Sequence, residues 1–198
     1  MAWLWRVCIA FMLMVGMNAA HAGYQKEEQL ADSVRTLLRQ AISMQMPALR
    51  PFASRQDEQR FYQWRDVMSQ RLSQPVAQPA LRHEMLNTVD YEARRAGLEP
   101  ALVLGVIAVE SRFYPNATSR VGARGLMPVM PCWAKSIGDG NAQRLYHMRV
   151  NVRFGCVILR HYLDRENGDL VRALARYNGS LGRTTYAEQV LKAAQQWR

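Results

Sequence analysis

The sequence predicts a mainly α-helical protein. Along most of the 198-residue chain, apolar residues recur at the i, i+4, i+7 spacing of an amphipathic helix. Proline and glycine separate these stretches, at positions where helices commonly begin and end. The sequence contains neither the alternating apolar and polar runs that indicate a sheet nor an internal repeat.

The composition is that of a folded and strongly basic protein. Hydrophobic residues make up 49% and charged residues 21% of the chain, which is enough apolar material for a core and argues against disorder. The formal net charge of +10 would suit nucleic acid, an anionic lipid surface or an anionic polysaccharide. Charge alone does not choose among these partners.

Residues 1–22 have the layout of a secretory signal peptide. A positively charged start, MAWLWR, precedes the apolar stretch VCIAFMLMVGM and a small-x-small cleavage site at Ala20–Ala22. The apolar stretch is short for a membrane span, although an uncleaved anchor is the alternative. We therefore expect a periplasmic protein that begins at Gly23 after cleavage. Export argues against nucleic acid as its partner.

Two helices and a linker are predicted within residues 23–80. Apolar residues over Leu30–Ile42 have helical spacing, and Pro47 is expected to end that helix. A second helix is expected from Ser54, which can cap it, to Leu72. The proline-rich stretch Pro75–Ala80 then separates this pair from the rest of the chain.

The remaining helices follow the same signals. A helix from Leu81 is expected to end at Gly97, and Pro100 suits the first turn of the next helix, which carries Glu110. A loop rich in Pro, Asn and Gly comes after it. Further helical segments are predicted at Leu126–Ile137, Val152–Leu163, Leu170–Tyr177 and Tyr186–Trp197.

Glu110 ends one of the most apolar runs of the chain. The stretch ALVLGVIAVE, Ala101–Glu110, contains no other charged residue. Taken alone, such a glutamate is most simply a solvated residue at a helix end. Apolar surroundings and the negative end of a helix dipole both favour the protonated carboxyl, however. A general acid that cleaves a glycosidic bond needs that property.

Two further motifs accompany Glu110–Ser111. GARGLMPVMP follows at Gly122–Pro131, and ALARYNGS at Ala173–Ser180. In this order and spacing they resemble the catalytic domain of the family 1 lytic transglycosylases, the SLT-type domain, which is related in fold to goose-type lysozyme. The resemblance covers roughly Leu81–Leu191 and includes Asn151 in an N-x-x-x-G stretch and the segment YAEQVL at 186–191.

The resemblance implies both a fold and a reaction. Residues 81–198 would form a lysozyme-like helical catalytic domain, with residues 23–80 as an N-terminal helical extension and linker. The enzyme would cleave the β-1,4 bond between N-acetylmuramic acid and N-acetylglucosamine of peptidoglycan without water, leaving 1,6-anhydro ends. Glu110 would act first as acid and then as base. We expect a monomer without a cofactor, and the histidine spacing matches no metal motif.

Four residues are candidates for substrate binding on the same resemblance. Ser119 would lie near the N-acetyl group, Met127 against a sugar face, and Tyr177 with its hydroxyl toward the catalytic carboxyl, while Asn178 belongs to the Tyr177 motif. Each has a structural alternative. Ser119 could cap loop backbone, Met127 could fill the core, Tyr177 could satisfy one buried hydrogen bond, and Asn178 could tie the helix end to a loop.

One position departs from the family pattern. Pro128 stands where the family usually has Gln after GLM, so a hydrogen bond from that glutamine to sugar is in doubt. Two other functions remain open: a muramidase of the same fold that uses water, and a wall-binding or scaffolding protein without turnover. The sequence also leaves open whether cleavage serves general wall remodelling or opens the wall for a secretion or pilus machine.

Two cysteines remain after removal of the leader. In an exported chain, Cys132 and Cys156 most simply form one structural disulfide. Their spacing matches no zinc motif.

Overall fold

The computed structural model describes residue 30, residues 32–44, residue 47 and residues 49–198. The predicted signal peptide, residues 1–22, lies outside these residues. Within them the chain forms eight α-helices and two short 3-10 helices, with isolated β-bridges but no strand. The mainly helical fold predicted from the sequence is therefore confirmed. None of the described helices combines the length and the apolar character needed to cross a bilayer.

The helices follow one another along the chain, and the longest connection, residues 111–130, joins α4 to α5. Their bounds are α1 (Asp32–Ser43), α2 (Arg55–Arg71), α3 (Pro79–Arg95), α4 (Pro100–Glu110), α5 (Pro131–Ile137), α6 (Met148–Arg165), α7 (Leu170–Asn178) and α8 (Thr185–Ala194). The 3-10 helices span Ala142–Tyr146 and Gln195–Trp197.

The predicted helix starts agree with the structure where a cap or a proline sets them. The Ser54 hydroxyl accepts a hydrogen bond from the Asp57 amide at 3.1 Å and caps α2, as predicted. Pro79 and Pro100 occupy the first turns of α3 and α4, where a missing amide donor costs nothing. Pro79 lies within the predicted linker, so the linker between α2 and α3 is shorter than expected.

Helix α4 lies at the centre of the molecule. All of its residues from Pro100 to Ile107 are buried, which explains why the sequence here is apolar on every face. It packs closely against α8: a Cβ atom on Gly105 would lie 2.8 Å from the Val190 carbonyl oxygen. Only glycine therefore permits this approach of the two helices.

The N-terminal helices share the core of the rest of the chain. Met68 of α2 and Leu72, which caps this helix, belong to the same buried cluster as residues of α3, α4, α6 and α8. The end of α1 is held differently: Arg95 and Arg153 donate to the carbonyl oxygens of Ala41 and Ile42 at 3.0 and 3.1 Å. Both arginines also pair with a fully buried carboxylate on α3, that of residue 92. Helices α1 and α2 are thus packed against the rest of the described chain.

Two predicted helix bounds were wrong. Helix α6 begins at Met148, four residues before the predicted start. The helical segment expected over 126–137 is shortened to α5, because Arg124 and Val129 form two mutual backbone hydrogen bonds of 3.0 Å that close a hairpin turn. Periodicity could not show this pairing, since it depends on the turn that Gly125 permits at φ 93°.

The predicted disulfide is also wrong. Cys132 and Cys156 are both thiols in the structure. Cys156 is fully buried on α6 beside Glu92 of α3, whereas Cys132 lies partly exposed in the first turn of α5. Burial, and then the charge of Glu92, raise the pKa of the Cys156 thiol well above its usual range. The number of cysteines and the expected compartment gave no information about whether their Cβ atoms face each other.

Candidate active site

The Glu110 side chain lies at the carboxyl end of the buried helix α4. The residue as a whole is partly exposed, whereas its carboxyl group is buried at the end of the apolar helix. Burial raises the pKa of this carboxyl, and side-chain hydrogen bonds from Tyr186 and Asn178 lower it by a smaller amount. The net result is a carboxyl that holds its proton to a higher pH than an ordinary glutamate.

Two elements bring polar groups to this carboxyl. Asn178 is the last residue of α7, which Gly179 ends in the left-handed conformation at φ 78°. Tyr186 is the second residue of α8 and is buried. Its hydroxyl falls short of full hydrogen-bond geometry, so its contact with Glu110 is a long or bent one. Such contacts commonly shorten when substrate binds.

The chain turns sharply directly after Glu110. Ser111 caps α4, and its amide and hydroxyl both donate to the Ile107 carbonyl oxygen, at 3.0 and 3.1 Å. Arg112 and Phe113 then have positive φ values of 50° and 66°. The Phe113 ring is buried and stacks edge to face on Trp197, with ring centroids 5.2 Å apart.

A second loop, residues 117–130, is fixed by a buried asparagine on α6. The Asn151 side chain accepts from the Met127 amide at 2.8 Å and donates to the Arg124 carbonyl oxygen at 2.7 Å. A Cβ atom on Gly125 would lie 2.5 Å from the Leu145 carbonyl oxygen and closer still to the Asn151 amide nitrogen. The loop therefore depends on both Gly125 and Asn151.

The four predicted substrate-binding residues make different kinds of contact in the structure. Ser119 is partly exposed and does cap loop backbone, because its hydroxyl oxygen accepts from the Ala123 amide at 3.0 Å. The hydroxyl proton remains available to another acceptor. Met127 is fully buried and packs on Gly155 of α6, where a Cβ atom would lie 2.5 Å from its sulfur. Met127 thus fills the core, and the predicted contact with a sugar face is not supported.

Tyr186, whose hydroxyl contacts the Glu110 carboxyl, was not assigned a role from the sequence. Asn178 contacts the Glu110 carboxyl directly, although it was expected to tie the helix end to a loop. Tyr177 is buried and lies close enough to Tyr186 for the two to interact electrostatically. The segment YAEQVL, which begins at Tyr186, was the available signal. The resemblance pointed to the Tyr177 hydroxyl, and it gave no indication that the Tyr186 hydroxyl contacts the carboxyl.

The other acids after Glu110 mostly have structural roles. Asp139 pairs with Arg144 and Asp164 with Arg160, Glu166 pairs with Arg172 and Arg176, and Asp169 caps α7 by accepting from the Arg172 amide at 3.0 Å. Glu188 is exposed on α8. Of the carboxyls whose pKa is displaced in the described part of the chain, that of Glu110 is raised, and those of Asp57, Asp139 and Glu166 are lowered.

A cavity of about 560 Å³ lies away from Glu110, between α1, α5 and the start of α6. Three of the arginines that line it, Arg144, Arg149 and Arg153, are already paired with carboxylates. Neither Tyr186 nor Asn178, the two groups that contact the Glu110 carboxyl, lines this cavity. Among the described residues, no group of three or more His, Cys, Asp or Glu side chains could hold a metal ion.

Comparisons with known proteins agree with the motifs. The family model described as Transglycosylase SLT domain matches residues 87–198. A transglycosylase of Enterobacteria phage PRD1 is 40% identical over 99 residues, which cover 50% of this chain and 36% of the phage protein. Membrane-bound lytic murein transglycosylase C of Actinobacillus pleuropneumoniae serotype 5b is 40% identical over 75 residues, which cover 34% of this chain and 20% of that protein. The matches thus span at most 36% of the length of these relatives.

A solved structure resembles the fold. It is an inactive mutant of the lytic transglycosylase Slt from Pseudomonas aeruginosa, with a TM-score of 0.53 and 21% sequence identity. The similarity covers 89% of this chain and 38% of that chain. At this identity the likeness concerns the fold alone.

Proposed function

Because the chain belongs to the Transglycosylase SLT domain family, we propose that it is a lytic transglycosylase that acts on peptidoglycan. The bond cleaved is the β-1,4 bond between N-acetylmuramic acid and N-acetylglucosamine. One observation carries the proposal: the Glu110 carboxyl sits at the end of a buried helix with a raised pKa and two side-chain donors beside it.

Glu110 acts first as the general acid. Its raised pKa keeps a proton on the carboxyl, and that proton passes to the glycosidic oxygen as the bond to the muramyl C1 breaks. Positive charge develops at C1, and the neighbouring N-acetyl group of the substrate stabilises it. The Tyr186 and Asn178 donors then stabilise the carboxylate that Glu110 has become.

The same carboxylate completes the reaction as the base. It takes the proton of the muramyl C6 hydroxyl, whose oxygen bonds to C1 and closes a 1,6-anhydro ring. Glu110 returns to its protonated state, and no water is consumed. A single carboxyl suffices, which fits the pairing of most of the other late acids with arginines.

Supporting roles fall to groups around the loop that Asn151 fixes. The Ser119 hydroxyl keeps a proton to donate to the N-acetyl oxygen, since its oxygen already accepts from the Ala123 amide. Pro128 lies buried between Arg124 and Val129, whose backbone hydrogen bonds close the turn without a Pro128 amide. The fold of the turn thus tolerates proline, and the missing glutamine affects sugar affinity rather than chemistry.

Peptidoglycan lies outside the cytoplasm, and the predicted leader, residues 1–22, would deliver the enzyme there. The same cleavage would serve general remodelling of the wall or its local opening for a secretion or pilus machine.

The test uses the full chain, expressed with its own leader and purified from the periplasm. Purified sacculi are digested with the wild type, with Glu110→Gln and with Glu99→Gln, and the muropeptides are identified by mass spectrometry. Glu99 is a matched control, because it is an exposed glutamate at the opposite end of α4. We expect anhydro-ended fragments from the wild type and Glu99→Gln, and none from Glu110→Gln.

Other outcomes would overturn parts of the proposal. Reducing ends in place of anhydro ends would make the protein a hydrolytic muramidase. Binding to sacculi without cleavage would make it a wall-binding protein. Full activity of Glu110→Gln would remove Glu110 from the mechanism.

A further inference from the structure

The turn that follows Glu110 is strained. Arg112 and Phe113 both have positive φ values, and neither is glycine, asparagine or aspartate. Two successive residues of this kind are uncommon, because the Cβ atom crowds the backbone in the left-handed region. Such a conformation persists only where surrounding contacts hold it in place. Because the turn begins one residue after Glu110, whatever holds it also orients the carboxyl.

Two contacts hold the turn: the Tyr114 amide donates to the Ser111 carbonyl oxygen at 2.9 Å, and an aromatic contact comes from residue 197. Arg112 is exposed, so its side chain does not fix the turn through packing. The Phe113 ring is buried and meets the Trp197 ring at an interplanar angle of 70° and a centroid distance of 5.2 Å. This edge-to-face geometry is a favourable one for aromatic pairs. Trp197 is itself buried, in the 3-10 helix that follows α8.

Helix α8 and this 3-10 helix together span residues 185–197 and pack along α4. We call these residues the brace, because they contact both the Glu110 carboxyl and the turn after it. Tyr186 at the start of α8 contacts the Glu110 carboxyl, and Trp197 beyond its end contacts the turn behind Glu110. Between them, Gly105 lets the backbones of α4 and α8 approach closely. The Arg71 side chain of α2 donates to the carbonyl oxygens of Gln196 and Arg198, so the N-terminal extension supports the same brace.

We propose that Trp197 is a positioning residue for the reaction. By packing on Phe113 it fixes the strained turn, and through the turn it sets the direction and burial of the Glu110 carboxyl. The proposal rests on the proposed function for its kinetic consequences. Its structural consequence, the direction and burial of the Glu110 carboxyl, can be measured without any turnover.

The test compares Trp197→Leu with Trp133→Leu. Trp133 is an equally buried tryptophan whose indole N–H, like that of Trp197, has no hydrogen-bond partner among the described residues. Its aromatic neighbours are His161 and Tyr162 instead of Phe113. Both substitutions are expected to lower the melting temperature. Measured well below that temperature, Trp197→Leu is expected to lower kcat by roughly 30- to 100-fold with KM within about twofold, since misplacing a reacting group by about 1 Å costs that much. Trp133→Leu is expected to leave kcat unchanged.

The pH profile separates positioning from a loss of folded protein. When the turn loosens, water reaches the carboxyl and the pKa of Glu110 falls toward its ordinary value. The alkaline limb of kcat against pH therefore moves to lower pH in Trp197→Leu and not in Trp133→Leu. Trp197→Phe keeps an aromatic edge against Phe113. It is expected to retain both the wild-type kcat and the wild-type position of the alkaline limb. Phe113→Leu leaves Trp197 in place and is expected to reproduce the loss.

A second readout keeps this inference distinct from the proposed function. The carboxyl carbon resonance of Glu110 is titrated by NMR in the wild type, Trp197→Leu, Phe113→Leu and Trp133→Leu. A lower titration midpoint of Glu110 in Trp197→Leu and Phe113→Leu supports the inference, even if the wild type cleaves no peptidoglycan. Absence of cleavage by the wild type would overturn the proposed function alone. An unchanged midpoint in Trp197→Leu and Phe113→Leu, or a kcat loss that only tracks the folded fraction, overturns the inference.

Discussion

The Tyr186 hydroxyl and the Glu110 carboxyl are buried against each other, although they lie 76 positions apart in the sequence. Burial, and then the charge of Glu110, raise the pKa of the Tyr186 phenol well above its usual range. The phenol therefore stays protonated and can donate to the carboxylate at any pH at which the enzyme would work.

Tyr186→Phe is expected to lower kcat about tenfold, because one hydrogen bond to the carboxylate formed in the reaction is lost. The Tyr186 hydrogen bond lowers the pKa of Glu110, so its removal raises that pKa further. The alkaline limb of the pH profile should then move to higher pH. Tyr162→Phe is the control, since Tyr162 is equally buried and its aromatic neighbours are Trp133 and His161. A limb that stays in place would place Tyr186 outside the proton transfer.

Glu110→Gln is expected to stabilise the fold at neutral and alkaline pH. A carboxyl whose pKa is raised in the folded protein loses stability as pH rises from the unfolded pKa through the folded one. The neutral amide avoids this loss, which is about 1.4 kcal/mol for each unit of pKa difference. Urea unfolding at pH 4 and pH 8 measures the effect. The variant should match the wild type at pH 4 and exceed it at pH 8; equal stability at both would contradict a desolvated Glu110.

Gly125→Ala is expected to destabilise the protein far more than Gly122→Ala. Both glycines have positive φ, 93° and 86°, so both substitutions strain the backbone by about 1 kcal/mol. Only at Gly125 would the new methyl group also meet Asn151 and the Leu145 carbonyl oxygen; at Gly122 the space is open. We expect a total loss of about 3 kcal/mol or more at Gly125. Equal losses in urea unfolding would mean that the loop moves freely away from α6.

Asn151→Asp is expected to cost roughly 3 kcal/mol at neutral pH, because a buried carboxylate cannot donate to the Arg124 carbonyl oxygen. The loss should shrink at acidic pH, where the protonated carboxyl regains a donor. Asn141→Asp is the control: Asn141 is exposed and caps the 3-10 helix by accepting from the Gln143 amide, which aspartate does equally well. Thermal unfolding at pH 4 and pH 7 provides the comparison. A pH-independent loss would argue against this role of Asn151.

The protein without residues 1–22 is expected to contain two thiols. Reduction should change neither its mass nor its melting temperature. Iodoacetamide should modify the partly exposed Cys132 in the folded protein, and Cys156 only after unfolding, since burial raises the pKa of its thiol. A mass gain on reduction would show that the protein does contain the disulfide predicted from the sequence.

The sequence predicted the local structure well, because the residues that cap or start a helix lie within a few positions of the helix end on which they act. Ser54 caps α2 through its own hydroxyl, and Pro100 starts α4 through its fixed backbone angle. The run of apolar residues in α4 predicts a helix that is buried on all sides, and the charged residue Glu110 marks the end of that run. The order of the three motifs was likewise enough to predict the family.

The tertiary structure alone decided which groups meet at Glu110. The rotation of α8 about its axis brings Tyr186 to the carboxyl, and the close approach that Gly105 allows brings Trp197 to Phe113. Neither depends on spacing along the chain, because side chains from different helices meet only after the helices pack. For the same reason, the sequence could not show that Met127 faces the core or that the two cysteines remain apart.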